Sequence, residues 1–423
     1  MCLEGLTSED GVSPALWAAG APVQWQGAGL RVLMYSHDTF GLGHLRRSQA
    51  IAEALTGANP SATVKILTGA PSAAAFPASG RIHLVRLPPV RKRLDGSYVS
   101  GDERRSLAET IRIRQAIIFT EALHFAPQLT IVDKEPSGFD GEMLPALKHL
   151  RNSGSKIVLG LRDVLDAPEP LREEWARKQA LRWIERYYDE LWIYGPSTFH
   201  DPLTGVDVPS HLSARTHYTG FIGRCLTGNS SPCGTRDGHL LVTAGGGADG
   251  YPLLVRSISA LADLRIENVV IVAGPYMAPG ALSDLKRRAE KVQGLTVIAF
   301  DPKMQDLVAS SRALIAMCGY NTFCEALSFD KPTLYVPRIS PRREQSIRAH
   351  RAQTLGWSSM ITLGEAADCR RFAAAIEHLL HQAPPSGSQT RPDMSGLATI
   401  GSLLAPLLSQ AQTMPRQPAC PQL

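Results

Sequence analysis

Short apolar runs alternate with longer amphipathic stretches along most of the chain. The first series reads LRVLMYS, TVKILTG, IHLVRL, LTIVD, KIVLGL and LWIYG, and the second reads HLLVTAGGG, NVVIVAG, LTVIAF, ALIAMCG and TLYVP. Apolar runs of this length predict buried parallel strands, and the stretches between them predict crossover helices. We therefore expect an α/β chain with two doubly wound domains in tandem.

One segment, residues 168–195, holds a helical pattern that is longer than its neighbours. Its apolar positions are Leu171, Trp175, Leu181, Ile184 and Tyr188. This spacing predicts one long amphipathic helix whose aromatic stripe packs on the sheet. Its arginine-rich polar side leaves open the alternative of a helix that lies on a membrane surface.

The ends of the chain and its middle mark the domain boundaries. Residues 1–27 and 384–423 are rich in small residues and proline without periodicity, so we expect both to be loosely ordered. The Gly- and Ser-rich stretch 219–238 predicts the changeover between domains at 28–222 and 223–383. Ligands of such sheets bind beyond the carboxyl ends of the strands, so we expect the site in a cleft between the domains.

Composition narrows the class of protein. The 423 residues carry a net charge of +5 with arginine spread throughout, which argues against a nucleic-acid partner and leaves open an anionic small molecule or membrane surface. The seven cysteines form no C-x-x-C pair, which is typical of reduced cytosolic thiols. The first thirty residues include Glu4, Glu9 and Asp10 and make a poor secretory signal, and no apolar run is long enough to span a bilayer. We expect a cytoplasmic protein, with contact at the inner face of the membrane as an open alternative.

The stretch FGLGHLRRSQAIAEAL follows the first predicted strand. Gly41 and Gly43 permit a tight turn, and free amides at the helix start can face an anion, although a plain turn is the alternative. His44 lies where an imidazole can take a proton from a substrate hydroxyl. Arg46 and Arg47 fit either a phosphate contact or a solvated helix face, and we favour the solvated face.

Carboxylates close two further strands at the same edge of the predicted sheet. Asp133 ends LTIVD, and Arg162 with Asp163 ends KIVLGLRD. Asp133 and Asp163 are rival general bases, with helix capping as the alternative for each.

The second domain repeats this arrangement with TAGGGADGY. Gly245, Gly246 and Gly247 follow a predicted strand and precede a predicted helix. A backbone without side chains lets a ligand approach closely, and its N–H groups can donate to phosphate oxygens.

A later strand of this domain leads into a second polar turn. The strand that ends at Cys318 meets Gly319, then Asn321 and Thr322 as predicted caps, then a helix with Glu325 in its first turns. This order presents a helix N-terminus to a diphosphate and a carboxylate to hydroxyls. The plainer interpretation of Glu325 is a favourable charge near a helix start.

These motifs resemble the GT-B glycosyltransferases over about residues 30–380. The resemblance is to the peptidoglycan lipid-intermediate N-acetylglucosaminyltransferase type and to a group of bacterial predicted glycosyltransferases. It implies two Rossmann-like domains that face each other across a cleft, the first on the acceptor side and the second binding the nucleotide sugar. It places Gly41, Gly43 and His44 near the acceptor and the transferred sugar.

The resemblance also implies a set of donor contacts. Arg224, in TGFIGR, and Gly245, Gly246 and Gly247 would lie near the diphosphate. Phe300 and Asp301 would hold the base through backbone contacts, and Glu325 would hold the ribose hydroxyls. Glu344 and Gln345 stand where the family places two glutamines near the donor sugar, and Glu344 can still accept from hydroxyls.

The implied reaction is an inverting, hexosyltransferase-type transfer from a nucleoside-diphosphate sugar, expected to be UDP-linked, to an unidentified acceptor hydroxyl. His44 or Asp163 would be the base. No D-x-D motif occurs, so we expect no metal, and no cofactor other than the nucleotide sugar as co-substrate. The alternatives are a sugar-nucleotide hydrolase or epimerase of the same fold, and a non-catalytic nucleotide-sugar-binding protein.

Overall fold

The computed structural model of the protein describes residues 29–37, 43–71, 73, 80–92, 97–224, 238–247, 249–264 and 266–412. The expectation for residues 1–27 and the role of Gly41 concern positions outside these ranges. No helix among the described residues is long and apolar enough to cross a membrane.

The first domain contains a parallel sheet that has seven strands in the described ranges. Its elements are β1 (Arg31–Ser36), α1 (Gly43–Ala58), β2 (Thr63–Thr68), β3 (Ile82–Arg86), β4 (Val90–Lys92), β5 (Tyr98–Ser100), α2 (Leu107–Phe125), β6 (Leu129–Asp133), α3 (Leu144–Asn152), β7 (Lys156–Arg162), α4 (Pro168–Arg177), α5 (Ala180–Tyr187), β8 (Glu190–Tyr194), α6 (Ser210–Ser213) and β9 (Thr216–Tyr218). The order across the sheet is β3-β2-β1-β6-β7-β8-β9, while β4 and β5 form a separate antiparallel pair. The strand order reverses between β1 and β6, which creates a crevice at their carboxyl ends.

The second domain contains a parallel sheet with the same winding. Its elements are β10 (Leu240–Thr243), α7 (Tyr251–Leu264), β11 (Val269–Val272), α8 (Pro279–Ala289), β12 (Leu295–Ile298), α9 (Met304–Ser310), β13 (Ala313–Ala316), α10 (Tyr320–Ser328), β14 (Thr333–Tyr335), α11 (Glu344–Thr354), β15 (Ser359–Met360) and α12 (Cys369–His381). The order β12-β11-β10-β13-β14-β15 reverses between β10 and β13. This is the strand order of the doubly wound dinucleotide-binding fold, so the second crevice opens at that point.

The hydrophobic pattern predicted this architecture because the central strands are buried on both faces. All residues of β6, β10 and β13 are buried, so continuous apolar runs mark them in the sequence. The two doubly wound α/β domains are thereby confirmed. No pattern in the sequence predicted β4, β5, β9 and β15, which have only two or three residues each.

The prediction of one long helix over residues 168–195 is wrong. The segment forms α4 and α5, and Gln179 between them has a φ of 52°. A left-handed residue interrupts the helical hydrogen bonds, so the axis changes direction there. The predicted packing is confirmed, because Trp175 and Tyr188 are buried in the same apolar cluster as the sheet residue Leu159.

The prediction of a loosely ordered tail over residues 384–423 is wrong for its described part. A final helix, α13 (Gly396–Gln412), follows a crossing at which Phe221 donates its N–H to the Asp393 carbonyl at 2.9 Å. Leu404 and Leu407 of α13 are buried in one apolar cluster with Leu45 of α1. Apolar positions on one side of α13 therefore pack it onto the first domain, which its small-residue composition did not indicate.

A buried ion pair joins the two domains. Asp163, directly after β7, accepts hydrogen bonds from Nε of Arg348 at 2.8 Å and from its Nη2 at 2.7 Å. Arg348, in α11, also donates Nη1 to the Cys318 carbonyl at 2.8 Å, and both charged side chains are fully buried. A buried pair with all its hydrogen bonds satisfied stabilises one arrangement of the two partners.

We expect Asp163→Asn to lower the free energy of unfolding by about 3–5 kcal/mol, because it leaves the Arg348 charge buried without a counter-ion. Chemical denaturation followed by circular dichroism measures the change. The matched control is Glu103→Gln, which breaks an exposed ion pair with Arg91 and should change stability by less than about 1 kcal/mol. Equal effects of the two variants would contradict a stabilising role for the interdomain pair.

Candidate functional site

A cleft opens between the carboxyl ends of the two sheets. The first domain lines it with Gly43, His44, Arg46, Arg47 and Arg162. From the second domain, the lining includes Gly245, Gly246, Gly247, Asp249, Phe300, Asp301, Gly319, Asn321, Thr322, Arg338, Glu344 and Gln345. The cleft thus brings together most of the site residues that the sequence predicted.

His44 and Asp133 meet where the first sheet reverses its strand order. His44 lies in the first turn of α1, and Asp133 is the last residue of β6. Nδ1 of His44 is hydrogen-bonded to Oδ2 of Asp133. Because a carboxylate can only accept, we assign the imidazole proton to Nδ1, which leaves Nε2 as the basic nitrogen.

Arg47 completes this group, contrary to the expected solvated helix face. Its side chain is 2% exposed, and its Nη2 lies 2.6 Å from Oδ1 and 2.8 Å from Oδ2 of Asp133. The guanidinium carbon lies 5.7 Å and 5.4 Å from the ring centroids of Tyr194 and Tyr320. Arg47 therefore fixes the orientation of Asp133 and neutralises part of its charge.

Burial and neighbouring charges determine the protonation states of His44 and Asp133. Burial lowers the pKa of His44 to about 4, although the charge of Asp133 and the hydrogen bond to it oppose that shift. Burial raises the pKa of Asp133, but Arg47 and His44 outweigh it and hold that pKa well below its ordinary value. At neutral pH the pair is therefore a neutral imidazole that donates to an ionised carboxylate.

The opposite wall begins with the glycine loop after β10. Gly245 and Gly247 have φ values of 64° and 90°, which side chains disfavour. A Cβ on Gly247 would lie 2.4 Å from the Ala273 carbonyl oxygen, so only glycine fits the loop there. At Gly246 a Cβ would meet only Tyr276, at 3.6 Å.

The N-terminus of α10 lies beside this loop. Gly319 is its N-cap, and no described side chain caps it, which corrects the expectation that Asn321 and Thr322 are caps. Asn321 instead donates Nδ2 to the Gly43 carbonyl at 2.9 Å, across the cleft. The first amides of α10 are left without helical partners in the cleft wall, where a helix N-terminus favours an anion.

Glu325, Arg46 and Arg224 form a group at the edge of the cleft, and of the three only Arg46 lines it. Nη2 of Arg46 lies 2.6 Å from Oε1 of Glu325, which is 1% exposed, so Arg46 is not on a solvated helix face either. Burial and the charge of Arg46 lower the pKa of Arg224, which Glu325 opposes, and the backbone N–H of Arg224 donates to Ser328 Oγ at 2.9 Å. Neither Glu325 nor Arg224 is among the residues that line the cleft.

Glu344 and Gln345 lie in the cleft at the start of α11. Oε1 of Glu344 accepts from Nη2 of Arg338 at 2.7 Å, and Arg338 donates its backbone N–H to Gln345 at 3.3 Å. Nη1 of Arg338 reaches Asp249 at 2.8 Å. Arg338 and Asp249 were absent from the sequence prediction, although the position of Arg338 shortly after the TLYVP strand could have indicated it.

The remaining predicted residues divide between the cleft and the core. Phe300 and Asp301 line the cleft after β12, and Asp301 accepts from the Lys303 N–H at 2.7 Å. Arg162 lines the cleft as well, but Asp163 is fully buried against Arg348 and does not. Both oxygens of Asp163 are engaged by Arg348, so His44 is the base candidate that the geometry favours.

No cluster of three or more metal-binding side chains occurs among the described residues.

Comparisons with known proteins agree with this arrangement. Residues 239–395 match the glycosyltransferase family 28 C-terminal domain. Similar solved structures are MurG of Acinetobacter baumannii (14% identity, TM-score 0.56, 88% of this chain and 98% of that one), the calicheamicin glycosyltransferase CalG4 (16%, 0.52, 90% and 95%) and a UDP-N-acetylglucosamine 2-epimerase (15%, 0.56, 94% and 100%). No curated protein sequence matches the chain.

The family domain and the fold together define the class of this protein. It is a glycosyltransferase of the GT-B architecture, with two Rossmann-like domains that face each other across a cleft. At 14% identity the likeness to MurG concerns the fold alone, so the particular type expected from the sequence stays a prediction.

We expect His44 to remain neutral down to about pH 5 and to titrate near pH 4, as its pKa indicates. An unfolded histidine titrates near pH 6.5, so this contribution to stability is complete above that pH and is lost as the pH falls toward 4. NMR titration of the imidazole measures the pKa. The stability difference between the wild type and His44→Gln should narrow over the same pH range, and a His44 pKa of 6.5 or above would contradict the burial argument.

Proposed function

We propose that the protein transfers a sugar from a nucleoside-diphosphate sugar, most simply a UDP-sugar, to an acceptor hydroxyl. The observation that carries this proposal is the position of the His44–Asp133 pair opposite the glycine loop and the N-terminus of α10. A base on one wall and amides for a diphosphate on the other are the two parts that glycosyl transfer requires.

The first domain would activate the acceptor. Nε2 of His44 takes the hydroxyl proton while Asp133 holds the other ring nitrogen, so the positive charge that forms on the imidazole faces a carboxylate. The acceptor oxygen then forms a bond to the anomeric carbon as the bond from that carbon to the diphosphate breaks. A single displacement of this kind inverts the anomeric configuration.

The second domain would hold the donor. The amides at the start of α10 and of the loop at Gly245, Gly246 and Gly247 can accept the diphosphate as its negative charge grows. Glu344 and Gln345 lie farther along the cleft, where their oxygens can accept hydrogen bonds from sugar hydroxyls. Amides and arginine side chains can supply this stabilisation without a cation, so metal independence is part of the proposal.

We expect UDP-sugars to raise the melting temperature more than GDP- or dTDP-sugars, in a thermal-shift series with and without EDTA. A ligand at a hundred times its Kd stabilises the fold by about 2.7 kcal/mol. Gly246→Val should abolish the shift, because its side chain enters the cleft without requiring a left-handed backbone. Gly280→Val, at a position with no atom within 4 Å of an added Cβ, is the matched control. Failure of every nucleotide sugar to shift the wild type would refute the proposal.

His44→Gln and Asp133→Asn should each lower the rate of nucleoside diphosphate release by about 10²–10⁴-fold, because the base or its orientation is lost. Both variants should keep the thermal shift with the donor. The rate is measured with a panel of hydroxyl acceptors, and His83→Gln, an exposed histidine in β3, is the control.

The same assay separates the two alternative functions. Release of free sugar without any acceptor would favour hydrolysis, in which water replaces the acceptor hydroxyl. Donor binding without turnover, unchanged in His44→Gln, would favour a non-catalytic nucleotide-sugar-binding protein.

A further inference from the structure

The cleft is lined by several arginines, and most of them already have a carboxylate partner. The pairs are Arg46 with Glu325 at 2.6 Å, Arg47 with Asp133 at 2.6 Å, and Arg338 with Glu344 at 2.7 Å. A guanidinium that is paired with a carboxylate attracts an anionic ligand only weakly, because the carboxylate offsets its charge. These arginines are therefore poor counter-ions for a substrate unless an existing pair breaks.

Arg162 differs from these arginines. It lines the cleft at the end of β7 but forms no ion pair and no side-chain hydrogen bond with any described residue. Its Nε is buried without a partner, and burial lowers the pKa of its guanidinium to about 10, so it stays charged at neutral pH. Glu344 is the carboxylate with the strongest influence on that pKa. Arg338 engages only Oε1 of Glu344, and Arg162 forms no ion pair with the other oxygen, Oε2, which is buried without a hydrogen-bond partner among the described residues.

This charge has lost part of its water, because the residue is half-buried and its Nε is fully buried, and no carboxylate of the described residues pairs with it in place of that water. An anionic ligand that pairs with the guanidinium offsets this desolvation free energy. The planar guanidinium also matches the geometry of phosphate and carboxylate oxygens. A nucleoside-diphosphate sugar brings at least two negative charges into the cleft. The amides of α10 supply only partial charges against them.

We propose that Arg162 binds an anionic group of the substrate, and thereby supplies a full positive charge from the first domain to a ligand held by the second. This inference rests on the proposed function. The anionic group is either the leaving diphosphate or a carboxylate on the sugar. In the first case Arg162 is a catalytic residue that receives the charge released with the diphosphate, and in the second it sets the class of sugar.

The test compares Arg162→Met with the wild type in titration calorimetry, using uridine, UDP, UDP-glucose and UDP-glucuronate, with competition for weak ligands. A diphosphate contact predicts at least a tenfold loss of affinity for UDP and for both UDP-sugars, with uridine unchanged. A carboxylate contact predicts that loss for UDP-glucuronate alone. In either case Arg162→Lys, which keeps the charge but not the fork, should restore part of the affinity.

Two controls separate ligand binding from folding. Arg104→Met removes an arginine that is 88% exposed and should change no affinity. Arg162→Met should melt at the same temperature as the wild type or above it, since it removes a half-buried charge without breaking an ion pair. A purely structural arginine would lower that temperature.

The outcomes also separate this inference from the proposed function. If the wild type binds UDP and UDP-glucuronate, and Arg162→Met binds both with unchanged affinity, the inference alone is overturned. An equal loss for all ligands, uridine included, would overturn it as well, because the effect would then not depend on an anion. A wild-type protein that binds none of the uridine ligands, and whose melting temperature no GDP- or dTDP-sugar raises, would overturn both.

Discussion

The ion pair between Asp163 and Arg348 sets the geometry of the cleft. Both side chains are fully buried and each belongs to a different domain, so the domains cannot part here without leaving a charge unpaired. Residues close to this pair in the sequence line the cleft from both domains. Arg162 immediately precedes Asp163, and Glu344 lies one turn before Arg348 on α11. A contact in the core thus fixes the separation of Arg162 and Glu344, which form no ion pair with each other.

Buried charge pairing also orders the His44–Asp133 pair of the first domain. Asp133 could serve as a base by itself, but Arg47 and His44 surround its oxygens and keep it ionised, so it orients the imidazole instead. Burial keeps that imidazole neutral. Whether the imidazole or the carboxylate is ionised therefore depends on the surroundings of each side chain and not on its ordinary pKa.

Most charges in the cleft are compensated before any ligand arrives. The pairs of Arg46, Arg47 and Arg338 with their carboxylates leave the backbone amides of the second domain and the Arg162 guanidinium as the groups that attract an anion. These two sources lie on opposite walls. A ligand that satisfies both would also bridge the domains, so binding and the relative position of the domains are coupled.

The sequence by itself determined the two doubly wound domains, because strands buried on both faces must be continuous apolar runs. It also indicated that His44 and Asp133 share one edge of the first sheet and that the glycine loop and Gly319 share one edge of the second, since the carboxyl ends of parallel strands in a sheet lie at the same edge. The sequence favoured Asp163 over Asp133 as the alternative base to His44, although the two carboxylates occupy similar positions at the ends of their strands. Only the tertiary structure brought Arg348 to Asp163 and Arg47 to Asp133, because such pairings join residues 185 and 86 positions apart. For the same reason only the structure showed that Arg162 has no ion-pair partner among the residues that the structure describes.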